Sequence, residues 1–190
     1  MRLCPVLLAL IAVPALAQPP APTAPPTAPE ARLAAQREAM RALSFMDGEW
    51  RGPAEIAGGH EITQTERVGA LLDGAVRVVE GRGYDAQGTT RFNAVAVISY
   101  DLERRAFMMR SYAMGYTGDF PIEVRPNGFR WQIPSGPGAI VRYTATIEGN
   151  SWHEIGERIV GDAAPVRTVE MRLVRLGPSR WPAEGAVPPR

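Results

Sequence analysis

The sequence predicts an all-β fold: an antiparallel up-and-down β-barrel of about ten strands with one short N-terminal helix. Three observations predict it. First, strand-like runs fill the chain near 49–56, 61–68, 74–84, 90–100, 106–114, 118–125, 128–134, 139–148, 152–160 and 166–176. Second, turn residues separate them at spacings of roughly 8–12 residues, the signature of sequential antiparallel pairing. Third, several runs alternate cleanly. Val141, Tyr143, Ala145 and Ile147 oppose Arg142, Thr144 and Thr146; Phe129, Trp131 and Ile133 oppose Arg130 and Gln132; Val169, Met171 and Leu173 oppose Thr168, Glu170 and Arg172. Period-two alternation gives one apolar and one solvated face. With so many strands and few prolines inside them, closure into a barrel removes exposed edges.

The elements before the strands read in order. Arg2, the apolar run Val6–Val13 and Ala15-Leu16-Ala17 form a secretory signal over 1–17, with cleavage near Ala17 and export to the periplasm or beyond. The run is too short to span a bilayer, so no membrane span is expected. Cys4 is the single cysteine and leaves with the signal, so no disulfide holds the mature chain. Residues 18–29 form a Pro/Ala-rich spacer. Glu30 to Phe45 reads as one amphipathic helix, with Leu33, Arg37, Met40 and Leu43 on one face, ended by Asp47-Gly48. The helix and barrel together occupy 30–177, and 178–190 is a Pro-rich tail in which Trp181 either docks on the barrel or stays exposed.

The turns have mechanisms. Asn127-Gly128 is the strongest hairpin signal, both residues tolerating positive φ. Gly58-Gly59, Asp73-Gly74, Asp85–Gly88, Ser135–Gly138 and Glu148–Ser151 supply others. Charge is uninformative about partners. All 21 basic residues are arginine against 20 acidic ones, and loss of Arg2 leaves the mature chain balanced. The arginines are scattered with no basic stripe, so no nucleic-acid partner is expected.

Gly48-Glu49-Trp50 is a G-x-W directly after the helical segment. That order resembles the opening of calycin (lipocalin-like) β-barrels. Leu43–Gly52, Glu66-Arg67 with Leu71–Gly74, Ser99–Leu102 and a last strand ending in Arg175 are similar to the DUF1579-type group, over roughly residues 43–176. The resemblance implies a lipocalin-like barrel of undefined function and carries no catalytic residue. It also implies structural closure by Trp50 stacked under Arg175, with Arg172 as second choice.

No motif carries catalysis. His60 and His153 are too few for a zinc site, and no H-x-H, H-E-x-x-H or cysteine pair occurs. Nitrobindin-like barrels, which this architecture resembles, hold haem by a His near the chain end, whereas here His153 lies on the penultimate strand, the last strand has none and His60 sits in a turn, so neither metal nor cofactor is expected. Ser99 and Ser111 lack a nucleophile motif, and no phosphate-cradling glycine loop is present. Glu66, Glu80, Glu154 and Glu157 sit in strand-like runs, and alternation is expected to place most of them outside. Aromatic and Met residues give the best hint of a pocket. Tyr100, Phe107, Met109, Tyr112, Trp131 and Tyr143 are the expected ligand-binding residues, with Met114 and Tyr116 nearby.

The leading expectation is an exported, non-catalytic barrel binding a small, largely apolar ligand in its lumen. The alternatives are an envelope interaction protein with a filled barrel, self-associating as a homo-dimer or meeting another partner, and a lumen enzyme using Glu and Tyr.

Overall fold

The computed structural model describes residues 24–184. The expected signal segment 1–17 and the first part of the 18–29 spacer lie outside the described residues, as does the tail from 185. The strands are β1 (Gly48–Ile56), β2 (His60–Leu71), β3 (Val76–Tyr84), β4 (Thr90–Asp101), β5 (Ala106–Ala113), β6 (Tyr116–Arg125), β7 (Gly128–Pro134), β8 (Ala139–Glu148), β9 (Ser151–Val160) and β10 (Val166–Gly177). Each pairs antiparallel with its sequence neighbour, and β1 pairs with β10 to close the barrel. The all-β barrel of ten strands read from the sequence is therefore the observed fold.

One helix, α1 (Pro29–Met40), precedes the strands. Proline in its first turn suits a position whose N–H has no helical partner. The single amphipathic helix expected over 30–45 is instead shorter. It tightens into a 3-10 segment over Arg41–Met46. The expected stripe also buries only at its end. Met40, Leu43 and Met46 are buried, whereas Leu33 is exposed. The reason is placement: α1 overhangs the barrel rim and only its last turn enters the mouth. The overhang is held by polar contacts, with Arg32 on Glu103, Arg37 on Asp73 and Gln36 Nε2 donating to the Tyr100 carbonyl.

The end of this plug leaves carbonyls without helical donors. Three side chains from three strands satisfy them. Trp50 Nε1 donates to Met46 O at 2.9 Å. Arg175 donates to Asp47 O, and through Nη2 to Phe45 O at 2.9 Å. Arg77 donates to Met40 O and forks onto the Asp47 carboxylate at 2.8 and 3.1 Å. The Arg175 guanidinium lies 3.9 Å from the Trp50 ring centroid. Trp50 meets Trp152 edge-on at 5.5 Å, and Phe129, Val68, Ile98, Ile147 and Leu173 pack around them. The closed half of the barrel is thus a filled core.

The β6–β7 hairpin corrects one turn assignment. Arg125 pairs with Gly128, so the turn residues are Pro126 and Asn127, and neither Asn127 nor Gly128 adopts positive φ. Gly128 is needed for proximity: a Cβ there would lie 1.9 Å from the Ala145 carbonyl oxygen on β8. At the other end of the chain, Trp181 docks on the outer wall, its ring under the Arg67 guanidinium at 4.4 Å and its carbonyl against Gly69. Of the two placements open for Trp181, the docked one is observed.

Candidate functional site

Residues opposite one another across an antiparallel ladder point to the same face. This fixes which polar side chains enter the lumen. Trp50 is part of the core, and its partner on β2 is Glu66, so Glu66 also points inward, as does Gln64 two residues on. Glu154 pairs with Ala145 and Met171, both in the core, and is itself 8% exposed. Two of the four strand carboxylates therefore face inward, against the expectation that most would lie outside. Glu80 and Glu157 do point outward. Glu80 is held by Arg67 and Arg82, and Glu157 pairs with Arg142 and Arg167.

The two inner carboxyls have few partners. Gln64 Nε2 donates to Glu66 Oε1 at 2.7 Å. Trp152 Nε1 donates to Glu154 Oε2 at 3.1 Å. Neither carboxylate forms an ion pair among the described residues. Burial pushes the Glu66 pKa up to about 8; the Gln64 hydrogen bond opposes this, and the charges of Glu154 and Glu80 add to it. Burial likewise lifts Glu154 to about 7, against the indole N–H groups of Trp152 and Trp131. Desolvation dominates both, because no cation compensates the buried charge. Tyr143 is raised too, by burial first and then by the charge of Glu154.

Two inward glycines let these groups lie along the wall. A Cβ at Gly81 would stand 2.8 Å from Glu66 Oε1, and one at Gly156 would stand 2.8 Å from the Tyr143 ring. Each side chain occupies the space where its cross-strand neighbour has none. Tyr143 stacks on Trp131 at 4.4 Å with 14° between the planes. Phe120 tilts against the same indole at 5.8 Å.

This aromatic group borders a weak seam. The β6–β7 ladder has three residue pairs, Glu123↔Arg130 to Arg125↔Gly128, where every other seam has six or more. Above Arg130 the two strands part, between residues 116–122 of β6 and 131–134 of β7. Pro121 has no N–H to contribute there. Phe120 and Trp131, both partly exposed, flank this gap.

Of the aromatic and Met residues picked from the sequence, five point inward, in two groups. Tyr100, Phe107 and Met109 pack into the closed half, with Tyr100 edge-on to Phe107 at 5.0 Å. Trp131 and Tyr143 form the stack beside the seam. Tyr112 is a correction. It faces outward, opposite Val95 and Thr117, and is 46% exposed. Tyr112 and Phe107 are five residues apart on one strand, which puts them on opposite faces. Tyr112 instead lines an open surface groove of about 540 Å³ with Val95, Met114 and Tyr116.

The histidines are apart from this site. His60 is exposed at the β1–β2 turn, and His153 lies on the outer wall with Nε2 2.9 Å from Glu170 Oε1. No group of three His, Cys, Asp or Glu side chains able to hold a metal ion occurs among the described residues. Ser111 faces the lumen opposite Ala96, and Ser99 faces out opposite Met108. Gln64 and Trp152, which hold the two carboxyls, carried no signal in the sequence beyond their place in strand-like runs. No protein-family model and no curated protein matches the chain.

Proposed function

We propose that this protein is an exported, lipocalin-like barrel that binds a small, largely apolar ligand in its lumen. The observation that carries the reading is the stacked Trp131–Tyr143 pair beside the three-pair β6–β7 seam. It is a flat apolar platform next to the place where the wall is least closed. Binding sites of this class combine such walls with a few polar groups that orient the ligand, here Gln64, Glu66 and Glu154. Export rests on the signal-like segment 1–17, and kinship with the DUF1579-type group rests on the Gly48–Trp50 and Leu71–Gly74 patterns. Native mass spectrometry on protein produced in a bacterial periplasm, followed by solvent extraction, tests the reading. A stoichiometric bound molecule, displaced together with a change in tryptophan fluorescence, is the expected result. A clean unliganded mass together with no thermal shift across a panel of lipids, isoprenoids and aromatic compounds would overturn it.

A second reading is favoured by the outer wall. Val95, Val97, Tyr112, Met114 and Tyr116 expose a run of apolar surface across β4, β5 and the β5–β6 turn, with Tyr116 81% exposed. Such a strip suits pairing with a second copy of the chain. Sedimentation equilibrium on wild type and Tyr116→Ser checks this. A dimer weakened by the substitution is expected; a monomer at every concentration excludes it.

A further inference from the structure

We infer that the ligand taken by the lumen is a small amine: an ammonium group held by Gln64, Glu66 and Glu154, with an apolar body lying on the Trp131–Tyr143 stack. The inference rests on the lumen-binding reading above and gives it a ligand class.

The polar wall has a one-sided chemistry. Glu66 and Glu154 face inward with no Arg or His against them among the described residues. Gln64 is 5% exposed, and its amide N–H is spent on Glu66. Its carbonyl oxygen lies over Gly83, 3.1 Å from where a Cβ would be, and accepts no hydrogen bond from any described residue. Glu66 and Glu154 both point into the lumen, near enough for the charge of Glu154 to act on Glu66, and two such acceptors match an ammonium, which has donors and no acceptor.

The other walls agree. Arg77 and Arg175, the inward arginines of the closed end, are engaged with the carbonyls of the plug. Arg158, opposite Val141 on β8, also points to the inner face, but it is exposed and forms no ion pair with Glu66 or Glu154 among the described residues. The faces of Trp131 and Tyr143 carry negative quadrupoles that favour a neighbouring cation. An anionic ligand such as a fatty acid would instead place its carboxylate against Glu66 and Glu154, a like-charge arrangement that is strongly disfavoured. The burial that lifts both carboxyls also makes them respond to a cation, because an ammonium beside them restores the ionised form.

The test compares phenethylamine with phenethyl alcohol, which share an apolar body and differ in the charged group. Affinities are read by isothermal titration and tryptophan quenching, on the full mature chain, at a pH above the titration of Glu66. The amine is expected to bind about tenfold or more tightly than the alcohol. Repeated near pH 7, where Glu66 still holds its proton, its binding enthalpy should vary with the ionisation enthalpy of the buffer, because a carboxyl proton is released. The double substitution Glu66→Gln with Glu154→Gln should collapse the preference to near unity, and Glu80→Gln, on the outer wall, should leave it in place. Equal or tighter binding of the alcohol overturns the amine assignment while leaving a lumen that binds apolar molecules. A preference that survives the double substitution also overturns it, since the cation would then be held elsewhere. Binding of neither compound overturns the assignment, and the extraction experiment then decides the lumen reading separately.

Discussion

Glu66→Gln is expected to stabilise the protein at neutral and alkaline pH and to do little in acid. Below the ordinary carboxylate pKa of 4.5 both folded and unfolded chains hold the Glu66 proton. As pH rises from there, the unfolded chain releases it while the folded chain, with a pKa of about 8, keeps it. The folded state then binds more protons, so stability falls with rising pH until the folded group also ionises. Glu154 adds a second decline of the same sign, ending at about 7. Glutamine removes the titration and keeps the shape. The stability difference between variant and wild type should grow across this window to the order of a few kcal/mol. Urea unfolding midpoints at a series of pH values read it directly. Other carboxylates act in the opposite sense: hydrogen bonds from His153 hold Glu170 below its ordinary value, so its contribution disappears on acidification. Taking the difference between variant and wild type isolates Glu66 from that acid limb. Parallel pH profiles for the two proteins would show that the carboxyl is solvated and would remove the polar half of the proposed site.

The same two glutamates mark where the sequence stopped being legible. Strand limits are readable because they depend on local chemistry: the runs near 128–134 and 139–148 coincide with β7 and β8. The facing of β2 was not readable, because both of its faces are polar. Thr63, Thr65 and Arg67 alternate with Ile62, Gln64 and Glu66, and only pairing with Trp50 across the ladder decides which set enters the lumen. In β9 the pattern misleads outright, since Ile155 points outward while Glu154 points in. Arg77 sits in the run Val76–Val79 and gave no sign that it caps Met40, thirty-seven residues earlier. Composition over a span groups Tyr112 with the lumen, whereas facing depends on parity along one strand. Leu33 fits a helical stripe, but a stripe does not say how far a helix overhangs the element it covers. Each of these outcomes depends on register or docking, which are properties of the assembled sheet.

Trp50→Ala is expected to cost about 3–5 kcal/mol, the range for removing a fully buried aromatic side chain. Trp50 is 1% exposed and touches both the plug and the core through Met46 O, Arg175 and Trp152. Arg175→Ala leaves the carbonyls of Phe45 and Asp47 without their donor, at about 1–3 kcal/mol for each group that water does not reach. The two losses should not add. Without the indole, the guanidinium loses its stacking surface; without the guanidinium, the indole loses the cation above it. A double-mutant cycle should therefore give a coupling of roughly 0.5–2 kcal/mol. Trp50→Phe separates the roles within the tryptophan. It keeps an aromatic face for Arg175 but leaves Met46 O unpaired, so it should retain part of the coupling while losing about 1 kcal/mol. Amide hydrogen exchange over 40–46 gives the structural readout. If the pair clamps the plug, exchange there should rise in either single variant before the strands exchange. Additive energies with unchanged protection over 40–46 would mean that Met40, Leu43 and Met46 hold the plug by burial alone, and that the arginine is incidental to closure.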